Sequence, residues 1–245
     1  MEEKLLQMKS LVERLNQASD SYYNGKGELM TDYEWDALFD QLKRLEEETG
    51  EILPDSPTNR VSEDSIVGKK EEHEFAALSL AKTKQVSDLV KWAEDRPIWI
   101  SWKLDGLTLV VTYDGGILTK IVTRGNGHIG TNITHLAPAI SGIPATISEK
   151  GHLVVRGEAV ISYADFEQFI IESEGDYANP RNLASGSLAL KDIEEVKQRH
   201  IQWIPFTLVY TERELTSWGE RMQMLKDLGM NPVERERIDQ PTTEN

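Results

Sequence analysis

The stretch from Trp99 to Gly106 places a lysine close to a carboxylate. It reads Trp-Ile-Ser-Trp-Lys-Leu-Asp-Gly. The β-branched and aromatic content of this region predicts a strand from Ile98 to Tyr113, with Lys103 in its interior. Alternation along such a strand places Ser101, Lys103 and Asp105 on one face. The pattern makes Lys103 a candidate covalent nucleophile.

A lysine attacks an electrophile only as the neutral amine. An unperturbed lysine has a pKa of about 10.4, so little neutral amine exists at neutral pH. Nearby cations or burial favour the neutral form, whereas Asp105 alone favours the charged form, so other groups or a metal ion must dominate. A second interpretation stays open, in which Lys103 is a strand residue that extends its charged end to water.

The N-terminal part of the chain predicts two amphipathic helices. Apolar residues recur at helical spacing between residues 3 and 18. Asn24-Gly25-Lys26-Gly27 predicts a break. Thr31 and Glu34 have the spacing of a capping box at the start of a second helix, and a Pro-rich exit and a polar linker from Ser62 to Glu74 follow.

From residue 98 onward the pattern changes to short strands mixed with helices. Asp114-Gly115-Gly116 predicts a hairpin whose second strand ends at Thr123. Further strands are expected at Leu153–Ile161 and Ile204–Tyr210, and helices at Asp165–Glu174, Ile193–Gln198 and Glu214–Leu228, the last ended by Gly229. The irregular order predicts an α+β fold with antiparallel sheets. We expect a small helical subdomain over residues 1–70 and a core over 71–245.

Composition limits the class of protein. The chain has 245 residues, no cysteine and a net charge of -15. Disulfides and thiolate metal sites are excluded, and we assign no metal ligands. No apolar run has the length of a membrane span and the charged N-terminus does not resemble a signal peptide, so we expect a cytoplasmic protein with no membrane contact. The spread acidity counts against a dedicated nucleic-acid-binding module.

Several other segments form a pattern with the lysine motif. In chain order they are Tyr22-Tyr23, Asp32, Trp35-Asp36, Asp55–Val61, His73-Glu74, Leu78-Ser79-Leu80, Thr123–Gly127, Val155–Glu158, Asn179–Asn182 and Gly186–Leu188. With Lys-x-Asp-Gly, their order and spacing resemble the NAD-dependent DNA ligases from about residue 5 to residue 230. The resemblance implies a nucleotidyltransferase core of the ATP-grasp-like ligase type, NAD as AMP donor and Mg²⁺.

The resemblance implies that the N-terminal residues bind the nicotinamide mononucleotide part of NAD. Aromatic faces at Tyr22 and Trp35 would stack on the flat cationic ring. Tyr23, which keeps an aromatic ring where many relatives carry histidine, is the third aromatic residue of the binding motif. The carboxylates of Asp32 and Asp36 would hold the ribose hydroxyls or the ring's charge. In the alternative interpretation, Trp35 is a core residue of a helical hairpin and Asp32 lies near a helix cap.

In the core, the resemblance implies that Lys103 carries AMP and that Asp105 belongs to its motif. Ser79 and Leu80 match the pair that meets adenosine. Ser101 occupies the position at which the family usually has a glutamate that contacts the adenine amino group. A serine would make a shorter contact, so we expect adenine recognition to depend more on backbone groups.

The resemblance assigns further contacts to charged residues of later motifs. Arg124 would orient phosphate or ribose. Glu158 would accept a hydrogen bond from the ribose or assist the metal-dependent step. Arg181, which we expect in a loop, would contact phosphate at a nick.

Other departures from the family's pattern indicate a divergent, phage-like branch. Asn126 replaces an aspartate, Thr131-Asn132 an acidic pair and Ala189 an arginine, for which Lys191 would partly substitute. The family's last two nucleotide-pocket motifs and its OB, zinc and helix-hairpin-helix parts do not occur in these residues. The chain is then a fragment of a longer ligase or a truncated natural product.

Nicked DNA is the expected partner of the complete enzyme, with weak or absent binding by this stretch. We expect a monomer and do not expect full ligase activity from the stretch alone. An ATP-dependent polynucleotide ligase and a non-catalytic NAD-binding fragment remain as alternatives.

Overall fold

The computed structural model describes residues 2–23, 29–58, 66, 68–78, 83–173, 177 and 179–244. The α-helices in these residues are α1 Glu2–Tyr23, α2 Asp32–Thr49, α3 Val86–Ala93, α4 Tyr163–Ser173, α5 Pro180–Leu188, α6 Ile193–Lys197 and α7 Trp218–Asp227, with a 3₁₀ helix at Thr134–Ala139. The strands are β1 Lys70–Glu72, β2 Ile98–Ser101, β3 Leu107–Asp114, β4 Ile117–Thr123, β5 Ile129–Thr131, β6 Leu153–Val160, β7 Gln202–Thr211 and β8 Arg235–Ile238. Mixed helices and antiparallel sheets agree with the predicted α+β class. None of the described helices is both long and apolar enough to cross a membrane.

Helices α1 and α2 form a hairpin around their apolar faces. The buried residues of this cluster are Met8, Leu11, Val12, Leu15, Leu42 and Leu45. The predicted capping box is confirmed, since Thr31 and Glu34 exchange side-chain and backbone hydrogen bonds at the start of α2. Helix α1 continues past the predicted end to Tyr23. The predicted break at Asn24–Gly27 lies outside the described residues.

A four-stranded antiparallel sheet forms the centre of the larger part, in the order β4-β3-β6-β7. In the β3–β6 pair, Leu107 faces Ala159 and Tyr113 faces Leu153. One face of the sheet covers the main hydrophobic cluster. The other face covers a smaller cluster in which Ala77 packs with strand residues.

The predicted continuous strand from Ile98 to Tyr113 is wrong. Strand β2 pairs with β8 in a separate two-stranded sheet, and β3 begins only at Leu107 in the four-stranded sheet. A side chain at Gly106 would place its Cβ 2.1 Å from the carbonyl oxygen of Ala159. Glycine therefore permits a close backbone approach where the chain passes from one sheet to the other. Lys103 lies in this crossing, so the strand alternation proposed for it does not apply.

The predicted loop around Arg181 is also wrong. Asn179 caps helix α5, because its Oδ1 accepts a hydrogen bond from the backbone N–H of Asn182 at 2.8 Å. Pro180 occupies the first turn, where its missing N–H costs nothing. Arg181 therefore projects from the first turn of a helix.

The other predicted elements agree closely with the structure. Helix α7 begins later than predicted because Ser217 and Glu220 form a capping box there. Gly229, at φ +86°, follows its end as predicted. The short strands β1, β5 and β8 were not predicted, because three or four residues carry too little periodicity to identify a strand. Helix α3 was not predicted either.

Candidate active site around Lys103

The crossing loop, residues 102–106, is held by side chains on both sides of Lys103. The indole N–H of Trp102 donates to Glu234 Oε2 at 2.9 Å. Asp105 Oδ1 accepts from Arg181 Nη1 at 2.8 Å. Lys103 itself is exposed. The loop is thus tied to the residue before β8 and to α5, while Lys103 stays accessible to solvent.

Glu158 anchors the end of the crossing loop from within the sheet. It lies on β6 and is only 8% exposed. Its Oε1 accepts from the backbone N–H of Gly106 at 3.1 Å, and its Oε2 accepts from Thr108 Oγ1 at 2.9 Å. Burial raises the pKa of Glu158, and this rise is opposed by Thr108, by the positive charges of Arg181 and Lys103 and by the Gly106 hydrogen bond. The carboxylate is therefore coupled electrostatically to the candidate nucleophile.

The ion pair of Asp105 with Arg181 connects the loop to the start of α5. The Arg181 side chain is 36% exposed and that of Asp105 is 65% exposed. Such an exposed pair adds little stability, because water screens the charges. The pair matters for geometry, since it places the Arg181 guanidinium on the loop that carries Lys103.

Arg124 lies at the end of β4, where a glycine turn begins. Its backbone N–H donates to the Thr108 carbonyl at 2.9 Å. Its Nε donates to the Ala77 carbonyl at 3.1 Å. Gly125 adopts φ +53°, and a Cβ there would lie 2.0 Å from the Ile129 carbonyl oxygen. The guanidinium thus has a structural contact beside its predicted role toward phosphate or ribose.

Residues 73–78, which we call the strap, cross the outer face of the four-stranded sheet. The backbone N–H groups of His73 and Ala77 donate to the carbonyls of His128 and Gly127, each at 2.7 Å. Arg156 Nη2 donates to the Ala76 carbonyl at 2.6 Å. The strap leads into the predicted adenosine residues, Ser79 and Leu80, which lie outside the described residues.

The end of the strap near His73 is fixed by a neutral imidazole. His73 Nε2 contacts the Arg124 carbonyl oxygen at 3.0 Å, so Nε2 must carry the proton and donate. Burial lowers the pKa of His73, which favours that neutral form. The strap and the glycine turn are therefore joined by side-chain as well as backbone hydrogen bonds.

The departures from the family's pattern have different structural settings. Ser101 is the exposed last residue of β2 and faces Arg235. Asn126 Oδ1 accepts from the backbone N–H groups of His128 and Ile129, which shapes the turn. Thr131 is buried and donates to the Ile66 carbonyl. Ala189 is the exposed C-cap of α5.

In the helical hairpin, Trp35 is part of the packing. Its ring stacks on Phe39 with centroids 4.9 Å apart, and its N–H donates to Ser19 Oγ at 3.2 Å. Tyr22 and Tyr23 end α1, whereas Asp32 begins α2 and Asp36 begins its second turn. The hairpin therefore brings these positions to one end, although the side chains of Tyr22, Tyr23, Asp32 and Asp36 lie outside the described part of the chain.

The predicted Mg²⁺ has no preformed cage in the described part of the chain. Those residues contain no group of three or more His, Asp or Glu side chains that could hold a metal ion. Both oxygens of Glu158 already accept hydrogen bonds, and Asp105 is paired with Arg181. This donor set fits a hydrated Mg²⁺ held mainly by nucleotide phosphates, as is usual for that ion.

Sequence reasoning missed Thr108 and Glu234 as members of the site. Thr108 lies two residues after Gly106, so its side chain could have been placed beside the motif once the strand start was known. Glu234 is far from the lysine motif in sequence, and it contacts Trp102 only because β2 pairs with β8. No sequence signal identifies that pairing.

Comparison with known proteins agrees with the motifs. Residues 69–243 match the family described as NAD-dependent DNA ligase adenylation domain. Residues 1–62 match the family described as DNA ligase-like, N-terminal NAD+-binding domain.

Curated relatives cover the chain from end to end. A protein named DNA ligase from Lachnoclostridium phytofermentans is 40% identical over 251 residues, which are 100% of this chain and 38% of that protein. A DNA ligase from Ruminiclostridium cellulolyticum is 40% identical over 244 residues, 97% of this chain and 37% of that protein. DNA ligase 1 of Clostridium acetobutylicum is 34% identical over 250 residues. The chain spans about two fifths of the length of these relatives, and it belongs to the NAD-dependent DNA ligase family, whose adenylation and N-terminal NAD+-binding domains it matches.

Proposed function

We propose that this chain transfers AMP from NAD to its own Lys103. The observation that carries the proposal is the setting of the exposed lysine. Its loop is anchored by the buried Glu158, and Arg181 is held beside it by Asp105. This arrangement presents an amine on the same loop as a positioned cation, which supports nucleophilic attack on the phosphoanhydride of NAD.

In the proposed step, Lys103 Nζ forms a bond to the α-phosphorus of NAD. The bond between that phosphorus and the bridging oxygen breaks, and its electron pair leaves with nicotinamide mononucleotide. The amine loses its protons to solvent, which the exposure of Lys103 allows. Arg181 and Arg124 are placed to oppose the negative charge of the phosphates.

The two parts of the chain would bind different parts of NAD. We assign nicotinamide mononucleotide to the unit of residues 1–70, through Tyr22, Tyr23, Asp32, Trp35 and Asp36. We assign AMP to the core of residues 71–245, a nucleotidyltransferase core of the ATP-grasp-like ligase type, through Ser79, Leu80, Ser101 and the residues around Lys103. The position of both helix ends at one end of the hairpin supports the first assignment.

Mg²⁺ supplies charge neutralisation of the phosphates when bound. Asp105 and Glu158 are the carboxylates of the site that would orient its water ligands. Because both already have protein partners, we propose that the ion enters with the nucleotide.

The broader setting follows from the same proposal. In a longer chain, AMP would pass to the 5′-phosphate of nicked DNA, and the 3′-hydroxyl would displace it. With a net charge of -15, we expect this stretch to bind DNA weakly by itself. We further propose a cytoplasmic monomer, which light scattering after size exclusion checks.

Intact-mass spectrometry tests the proposed reaction. Wild-type protein mixed with NAD and Mg²⁺ is expected to gain one AMP, and Lys103→Ala is expected to gain none while keeping its thermal stability. A folded wild-type protein without adduct would refute self-adenylation. NAD binding without adduct would then support the non-catalytic alternative.

The released product separates NAD from ATP as donor. Release of nicotinamide mononucleotide with NAD, and no pyrophosphate with ATP, is expected. Adduct formation with ATP alone would instead identify an ATP-dependent polynucleotide ligase.

A further inference from the structure

His152, at the opposite end of the sheet from Lys103, bridges two carboxylates. Its Nδ1 lies 2.6 Å from Asp114 Oδ1, and its Nε2 lies 2.8 Å from Glu74 Oε2. An ionised carboxylate accepts hydrogen bonds and cannot donate them, so both ring nitrogens of His152 must donate. That requires the doubly protonated, charged imidazolium. The side chain is 25% exposed, so the bridge is partly shielded from water.

Aromatic rings also pack around the His152 bridge. The Tyr210 ring lies 5.5 Å from that of His152 and stacks on Phe75 at 5.1 Å between centroids. Glu74 and Phe75 are the second and third residues of the strap. The bridge therefore fixes the beginning of the strap to the turn between β3 and β4 and to the start of β6.

We propose that His152 is a positioning residue that sets the strap, and through it the nucleotide site, by bridging Glu74 and Asp114. Along the strap, Arg156 binds the Ala76 carbonyl and Arg124 binds the Ala77 carbonyl. Cationic side chains thus hold the strap at Glu74, Ala76 and Ala77. The proposal rests on the proposed function in one respect, since it assumes that the strap leads into a nucleotide contact.

A continuous set of hydrogen bonds joins the end of the strap to the crossing loop. Arg124 binds Ala77 through Nε and Thr108 through its backbone N–H. Thr108 donates to Glu158, which also accepts from Gly106. A shift of the strap would therefore reach the residues that anchor the lysine loop.

The bridge depends on pH through the charge of His152. Its pKa is raised by the hydrogen bond to Asp114 and then by Glu74, against the effect of burial, and the bridge lowers the pKa of Asp114. A group with a raised pKa in the folded state contributes fully below its unfolded pKa, about 6.5 for histidine, and its contribution is lost as pH rises through the folded value.

Other charged groups surround the bridge. These are Glu212, which accepts from the His152 backbone N–H, Lys120 near Asp114, and Glu149 with its partner Arg213. Glu149 and Asp114 have lowered pKa values and stay ionised through the neutral range. Of the three groups at the bridge whose pKa is shifted, Asp114, Glu149 and His152, only His152 loses a positive charge as pH rises through its raised pKa.

Hydrogen–deuterium exchange in the ligand-free protein tests the strap directly. At pH 6.5, His152→Gln is expected to speed exchange of the Ala77 amide about fivefold, as expected for a partly exposed ionic network. Glu74→Gln is expected to have a similar effect. His200→Asn is the matched control, because His200 also pairs with a carboxylate, Asp165, at 2.9 Å. Unchanged exchange in both bridge variants would overturn the proposal.

Adenylation kinetics test the link to the nucleotide. His152→Gln is expected to raise KM for NAD about fivefold at pH 6.5 with kcat changed less than about twofold, and to match wild type at pH 9. His152→Arg keeps a charge at every pH and is expected to retain low KM at pH 9. A pH-independent KM in wild type, or an equal loss in kcat, would contradict the proposal. A wild type that forms no adduct would refute the proposed function instead, and the exchange data would then decide on the strap alone.

Discussion

The crossing loop and the strap are both held beside the same sheet, but mostly through different groups. The loop is held by two of its side chains, Trp102 with Glu234 and Asp105 with Arg181, and by the Gly106 backbone N–H on Glu158. The strap begins with side-chain contacts at His73 and Glu74, and further along it the carbonyl oxygens of Ala76 and Ala77 accept from Arg156 and Arg124. The contacts in the later part of the strap therefore depend on the backbone, whereas those of the loop depend mainly on residue type.

This difference explains why Lys103 and Asp105 in the loop and His73 and Glu74 at the start of the strap matched motifs, whereas residues 75–77 did not. Chemistry at Lys103 needs specific side chains at fixed spacing, which a sequence displays directly. A carbonyl oxygen is present at every residue, so a segment that is bound through carbonyls leaves no pattern. Substitutions should therefore act on the strap through its partners and on the loop through its own residues.

Gly106→Ala is expected to have the largest effect on stability. Its Cβ would lie 2.1 Å from the Ala159 carbonyl oxygen, so the end of the crossing loop must move away from β6. We expect a loss of about 3 kcal/mol in the free energy of unfolding, the upper range for overpacking. Urea denaturation measures it. Gly50→Ala is the control, because Gly50 has φ +69° but open space around it, and should cost about 1 kcal/mol. Equal losses would mean that the close approach at Gly106 is not limiting.

Glu158→Gln is expected to reduce activity strongly with little effect on stability. The amide has one acceptor oxygen where the carboxylate has two, so the anchor of the lysine loop is weakened, and the negative charge near Arg181 and Lys103 is lost. A displacement of the reacting amine by about 1 Å lowers the rate about 100-fold. Single-turnover adduct formation, followed by mass spectrometry, measures it. A rate within threefold of wild type would show that Glu158 does not position the loop, with Glu172→Gln on the exposed α4 as the matched control.

The same variant has a pH signature in stability. Burial raises the pKa of Glu158 in the folded state, so the folded protein binds more protons than the unfolded chain above the ordinary value of 4.5. The free energy of unfolding of the wild type should then fall as pH rises from 4.5 through the raised pKa of Glu158. Glu158→Gln has no carboxyl group at this position, so this fall should be absent from its stability. The stability of the variant relative to wild type is therefore expected to increase from pH 4 to pH 7. Parallel curves would contradict the raised pKa.

The sequence predicted the elements with strong periodicity or capping signals. Helix α2 was predicted from Thr31 and Glu34, and β6 was predicted within one residue of its observed end at Val160. The sequence did not predict that Ile98–Tyr113 is divided between two sheets. Strand propensity is high on both sides of the lysine motif, which favoured one continuous strand although Asp105-Gly106 is a turn-type dipeptide. The close approach of Gly106 to Ala159 lies where the chain enters the second sheet.

The residues of the candidate site also include some that motifs identified and some that no motif identified. Lys103, Asp105, Glu158 and Arg181 were identified from motifs, and the structure brings them together around one loop. Glu234 was not identified, because it reaches the site through a strand pairing of residues far apart in sequence. The side chains assigned to nicotinamide, apart from Trp35, stay predictions.

Arg156→Met is expected to weaken the strap. Its Nη2 donates to the carbonyls of Ala76 and Phe75, and burial lowers the pKa of its half-buried guanidinium. Leaving those carbonyls without a charged donor should cost about 1.5 kcal/mol. Thermal denaturation measures the loss. Arg237→Met, on an exposed ion pair with Asp239, is the control and should cost less than about 0.5 kcal/mol. If the two losses were equal, the strap would not depend on the carbonyl contacts of Arg156.

The pair of Asp105 and Arg181 is expected to give the smallest stability effect and the clearest separation of stability from function. A double-mutant cycle with Asp105→Asn and Arg181→Gln should yield a coupling of about 0.5 kcal/mol in unfolding, because both side chains are substantially exposed. Each single variant should nevertheless slow adduct formation more than tenfold, since the pair holds the cation beside Lys103. A coupling above about 2 kcal/mol would mean that the pair is a structural element of the fold, like the strap contacts. A small coupling together with unchanged adduct formation would remove Arg181 from the site, because a surface contact without effect on Lys103 has no part in presenting the amine.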